Sequence, residues 1–203
     1  MANIDFEGLE PIEIPHEFVI ELNLLIVVNH RLTLEAIDSD EEKELEKLAH
    51  DFAEDDPDVV HSLENDYQRF YGDLRRAANN LAAVALVTRL QHWVNRFVRR
   101  TTGKPKTAPS WLVSRLNHLN ELLGPGPVPV DFFAALEDVR DSVIHNDSNA
   151  EWEHQGKPRR VANCYANDFG VVIVSDEQLQ DAIAKVTQQV EWYDIELYKQ
   201  MKR

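Results

Sequence analysis

The chain has 203 residues, a formal net charge of -15, 43% hydrophobic and 28% charged residues, and one cysteine, Cys164. Those values describe one soluble globular domain, with or without an appendage, and exclude wholesale disorder, a disulfide framework and a multi-cysteine zinc site. The most apolar window, residues 18–37, is interrupted by Glu21, Asn23, Asn29, His30, Arg31 and Glu35, and the first 13 residues are acidic where a secretory leader is basic. A cytoplasmic protein without a membrane span is therefore expected.

Helical periodicity runs through most of the chain. Residues 16–37 space Phe18, Leu22, Leu25, Ile26, Val28, Leu32 and Ile37 for a long, largely buried helix. Ser39 with Glu42 is a capping box, predicting a second, acidic helix that uses Leu45, Leu48, Ala49 and Phe52. Asp56-Pro57 breaks and restarts the chain, with Pro at the first helical position. From Asp58 to about Arg100 there is no proline and one glycine, Gly72, which predicts one very long helix or two joined near Gly72.

A shorter helix is predicted from about Pro109 to Leu123, followed by the helix-incompatible run Gly124-Pro125-Gly126-Pro127-Val128-Pro129. Asp131 is predicted to cap a helix ending near His145. Residues 146–160 read as loop. Arg160–Tyr165 and Gly170–Val174 read as strands of a small hairpin about Asn167-Asp168-Phe169-Gly170. Ser175 and Gln178 form a capping box for a terminal helix striped by Leu179, Ile183, Val186, Val190, Tyr193 and Leu197. The expected fold is mainly α: a helical bundle with a small β-hairpin before the C-terminal helix. An acidic helical segment, 1–66, would pack on the bundle formed by 67–203.

Charge is placed unevenly: residues 1–66 carry -17, residues 67–118 carry +9 and residues 119–203 carry -7. The basic middle is where a polyanion would bind, while the acidic third either solvates a helix or meets a basic partner. Familiar chemistry-bearing patterns are missing. There is no P-loop, dinucleotide turn, His-Glu-x-x-His helix or Ca²⁺ loop, and the 8 His lack paired metal-ligand spacing. No metal or cofactor is expected.

One segment remains: Leu136-Glu137-Asp138-Val139-Arg140-Asp141-Ser142-Val143-Ile144-His145-Asn146-Asp147. It resembles the signature of the HEPN superfamily, in which an Arg and its polar follower stand four to six residues before a His in an all-α bundle. Arg140, Asp141 and His145 occupy those places, with Asn146 after the His as in many members. The resemblance extends loosely over residues 70–200. It implies a metal-independent endoribonuclease working as a homodimer, in a toxin or antiviral-defence setting, with an antitoxin or defence-system protein as a possible partner. His145 would transfer protons, Arg140 would hold the scissile phosphate, and Asp141 would orient an Arg.

On an ideal helix, residues five apart diverge by about 140° and about 7.5 Å, so Arg140 and His145 share no narrow face. Convergence then needs a fraying last turn or a second chain across a two-fold axis. Asn146 is either a substrate contact or a helix cap. Other candidate RNA contacts are Arg89, Arg96, Arg99, Arg100, Lys104, Lys106, Arg115, Arg159 and Arg160. Trp93 and Trp111 either stack on bases or belong to a core or interface. The acidic segment, if beside the cleft, would weaken RNA binding. Asp147 stands where toxins modified by paired nucleotidyltransferases carry Tyr, so that regulation is not expected. The competing expectation is a noncatalytic HEPN-like module binding a partner protein or nucleotide.

Overall fold

The computed structural model describes residues 18, 20–52, 57–102 and 111–201. A π-helical turn, Asn23–Val28, leads directly into α1, Asn29–Asp51. Then come α2 (Pro57–Thr102), α3 (Leu112–Leu123), α4 (Val130–His145), strands β1 (Glu151–His154) and β2 (Lys157–Arg160), a 3₁₀ turn (Asn163–Tyr165) and α5 (Asp176–Met201). The fold is a mainly helical one with a two-stranded antiparallel sheet before the last helix. Among the described residues, no helix is long and apolar enough to cross a membrane.

α2 organises the bundle. Its 46 residues extend about 69 Å at 1.5 Å per residue, uninterrupted at Gly72 and across positions 66 and 67. Leu86, Leu90, Trp93, Val94, Phe97 and Val98 of α2 are fully buried. They meet Leu112, Leu116 and Leu119 of α3, Phe133, Leu136 and Val139 of α4, and Val186, Val190 and Tyr193 of α5 in one core. Phe97 and Tyr193 have ring centroids 5.9 Å apart. Phe18 belongs to the same core and packs edge-on to Trp93 at 5.5 Å, and the Trp93 indole N–H donates to Glu21 at 3.1 Å. Trp93 is thus a core residue.

The predicted break at Ser39 does not occur. No Gly or Pro lies between Pro15 and Pro57, and the carboxylates around Ser39 have partners on α2 that hold the helix through this stretch. Arg75 binds Asp38 at 2.7 Å and also Glu41, while the Tyr71 hydroxyl donates to Asp40 at 2.8 Å. The N-terminal helical region is also less buried than its periodicity predicts: Phe18, Leu22 and Ile26 are covered, but Ile20, Leu24 and Leu32 are exposed.

The hairpin lies upstream of the predicted strands. Glu151–His154 pairs with Lys157–Arg160 inside the stretch read as loop. Gln155 (φ 52) and Gly156 (φ 73) make its two-residue turn, the positive-φ pair that the tightest hairpins require. The β-prone segments are used differently. Val161, Val172 and Val174 fill the core, and their backbone makes only isolated bridges, Asn149 with Val171 and Ala166 with Val172. The Asn167–Gly170 turn does form, with the Asn167 side-chain oxygen accepting the N–H groups of Phe169 and Val171. Ser175 and Gln178 cap each other's backbone N–H at 2.9 and 3.2 Å, opening α5 as the sequence predicts.

Candidate active site

α4 starts two residues earlier than predicted. Pro129 (φ -60) precedes it, and Asp131 lies within its first turn rather than acting as a side-chain cap. Phe133, Leu136, Val139 and Ser142 form its buried face. Glu137, Arg140 and Asp141 follow at spacings of three and four, so they share a flank of the helix.

That flank is a connected polar chain. The Glu137 Oε1 atom accepts the Leu112 backbone N–H at the start of α3 (3.4 Å) and the Gln91 amide from α2 (3.1 Å). The Gln91 carbonyl accepts from Arg140 Nη1 at 2.7 Å. Arg140 Nε donates to Asp141 Oδ1 at 2.9 Å, and Nη2 reaches the same oxygen. The side chains of Arg140 and Asp141 are only 16% and 18% exposed, so the guanidinium is held in a fixed plane, partly shielded from water.

His145 is the last residue of α4 and is exposed. It lies beyond the Arg140 network, as the five-residue separation requires. Asn146 caps: its backbone N–H donates to the Ser142 carbonyl at 2.9 Å and its side-chain amide to the Asp141 carbonyl at 3.3 Å. Asp147 (φ 50) and Ser148 (φ 61) then turn the chain in left-handed conformations. The wholly buried Ser142 hydroxyl secures that turn by donating to the Asn149 carbonyl at 2.7 Å.

The sequence-predicted cations fall into two groups. Arg159 of β2 pairs with Asp138 on α4, and Arg160 stands 3.4 Å from Glu151. Arg96, Arg99 and Arg100 occupy the last turns of α2, roughly 8 to 14 Å along the axis from Gln91. Arg96 lies over the Trp93 ring at 4.5 Å. Arg100 acts on Asp194 of α5, and Arg99 acts on Arg115. Burial pulls the Arg115 guanidinium below its ordinary value, Glu137 opposes that shift, and Arg99 adds to it. Burial also pushes the Asp138 carboxyl upward, against the charge and hydrogen bond of Arg159, while Asp141 reinforces the rise. Lys104 and Lys106 lie outside the described residues.

A cleft of about 440 Å³ opens beside this flank. One wall is α4, with Glu137, Asp138 and Asp141; another is the start of α3, with Trp111 and Val113; the hairpin supplies His154, Lys157 and Arg159. Trp111 and His154 meet edge-on, with centroids 6.2 Å apart. Sequence reasoning missed Gln91, His154 and Lys157, which are brought in by tertiary packing alone. Glu137 stands inside the motif segment, and its spacings of three and four from Arg140 and Asp141 put it on their flank.

The acidic helix is elsewhere. Its carboxylates engage Arg75, about 24 Å along α2 from Gln91, beyond the ~8–10 Å over which exposed charges act at physiological salt. Glu21, in contrast, reaches Trp93 and stands 3.7 Å from Arg89. Within one chain the α1 carboxylates therefore lie too far along α2 to screen the cleft, and Asp38, Asp40 and Glu41 tie α1 to α2. Comparison of the chain with protein-family models, with curated proteins and with solved structures gives no match.

Proposed function

We propose that the protein is a metal-independent endoribonuclease of HEPN type that acts as a homodimer, in a toxin or antiviral-defence role. The observation that carries this reading is the pairing, on one helix, of an Arg held by Asp141 and Gln91 with an exposed His at the helix end. In the proposed reaction the RNA 2′-oxygen attacks the adjacent phosphorus and the 5′-oxygen leaves. His145 moves a proton from the 2′-hydroxyl or to the leaving oxygen, both within reach of an imidazole near neutral pH. Arg140 stabilises the charge that builds on the phosphoryl oxygens. The products are a 2′,3′-cyclic phosphate and a free 5′-hydroxyl. Arg140 and His145 diverge within one chain, so the complete site combines residues of two chains.

A second reading, a noncatalytic module that binds a partner protein or nucleotide, is favoured by one observation. All three Arg140 nitrogens named above are already bonded within the chain, as a structural strut would be. Incubating the purified protein with total RNA in EDTA, beside His145→Ala, separates the two. The nuclease reading expects cleavage by the wild type and none by the variant. Equal cleavage by both removes His145 from the mechanism, and intact RNA in both leaves the binding module.

A further inference from the structure

The cleft between α3, α4 and the hairpin contains features that the cleavage mechanism does not use. Its volume, about 440 Å³, falls within the ~300–1,000 Å³ typical of small-molecule sites. Trp111 lines it while remaining 51% exposed, although an indole is usually covered by its own fold. His154 meets it edge-on, so the two rings are perpendicular and neither stacks on the other. Lys157 lies at the rim and, among the described residues, has no side-chain ion pair. Asp138 faces the same space, with Arg159 bonded to its Oδ1 atom.

We propose that this cleft binds one nucleotide of the RNA, with its base stacked on Trp111, its phosphate against Lys157, and a preference for guanine over uracil. The inference rests on the ribonuclease reading for why a nucleotide reaches this surface, but its chemistry is separate from that of Arg140 and His145. A carboxylate can only accept hydrogen bonds. Asp138 bonds Arg159 through Oδ1, which, among the described residues, leaves Oδ2 for a donor in the cleft. Guanine presents adjacent N1–H and N2–H donors that match the two oxygens of Asp138, whose Oδ1 has a second lone pair beside the one that Arg159 uses. Uracil presents one N–H between two carbonyl oxygens, which carboxylates repel. The charge and hydrogen bond of Arg159 oppose the upward push that burial gives the Asp138 carboxyl.

Isothermal titration of the full chain with 5′-GMP and 5′-UMP, neither of which has a bond to cleave, tests the cleft apart from catalysis. GMP is expected to bind about tenfold or more tightly than UMP, and Trp111→Ala to weaken GMP by about tenfold, from the ~1–3 kcal/mol of one base stacked on an aromatic ring. Trp111→Phe should retain most of the affinity, and Asp138→Asn should narrow the GMP-to-UMP ratio. His145→Ala should bind GMP as the wild type does. Equal binding of GMP and UMP, or unchanged GMP binding by a folded Trp111→Ala protein, overturns the inference. Trp111-dependent GMP binding by a protein that leaves RNA intact overturns the ribonuclease reading and keeps the cleft. RNA cleavage with no Trp111-dependent binding does the reverse.

Discussion

Asn80 joins the middle of α2 to the segment before α5 through both ends of its amide. Its Nδ2 donates to the Val172 carbonyl at 2.9 Å, and its Oδ1 accepts the Val174 N–H at 3.0 Å. Asn79 beside it makes the complementary tie: it donates to Asp176 at 2.8 Å and pairs through Oδ1 with His30 Nε2 at 2.6 Å. An edge of backbone that would otherwise need a partner strand is thus satisfied by a helix side chain. Asn80→Leu keeps approximate volume but strands two buried backbone groups, each costing ~1–3 kcal/mol. Urea unfolding is expected to show a loss of about 2–5 kcal/mol. A loss below about 0.5 kcal/mol would mean that the Val172 and Val174 groups are satisfied without Asn80.

At the scale of elements, α2 is the axis against which the other helices find their register. Nothing in its 46 residues stops it, since the one glycine sits where a helix tolerates it. A Cβ at Gly72 would meet no atom within 4 Å, so Gly72→Ala removes unfolded-state freedom without a clash. Stabilisation by about 0.5–1 kcal/mol is expected, read as a rise in Tm. A fall in Tm would reveal a close approach at Gly72 that the isolated chain lacks. The contrary case is Gly126, where an added Cβ would collide with the buried Gln189 amide that accepts the Val128 N–H. This is why the Gly-Pro run before α4 is closely packed onto α5 and holds the start of the motif helix in place.

For the whole molecule, the proposed dimer, in which each site takes residues from two chains, has a direct test. Arg140→Ala and His145→Ala chains are each inactive on this reading. If Arg140 of one chain works with His145 of the other, a mixed dimer regains one of its two sites. Random mixing then restores about a quarter of wild-type cleavage, because half the two-fold dimers are mixed. If the pair acts within a chain, no mixed dimer contains an intact site and cleavage stays absent. Denaturing and refolding the two variants together, with each refolded alone as control, provides the measurement.

Local order was readable because it is dictated by neighbours in sequence. The lack of proline and near-lack of glycine over 58–100, the Ser175–Gln178 box and the apolar stripe of α5 determine helices without reference to distant residues. The Arg140–Asp141–His145 spacing, with the expectation that the Arg and His diverge, was available in the same way. Tertiary structure decided what depends on partners. Ser39 does not start a helix because Arg75 and Tyr71 engage the carboxylates around it. The β-rich Val172 and Val174 do not form a ladder because burial and Asn80 satisfy them first. Gln91 reaches Arg140 from 49 positions away, and Trp111 and His154 meet across 43, separations at which no sequence period survives.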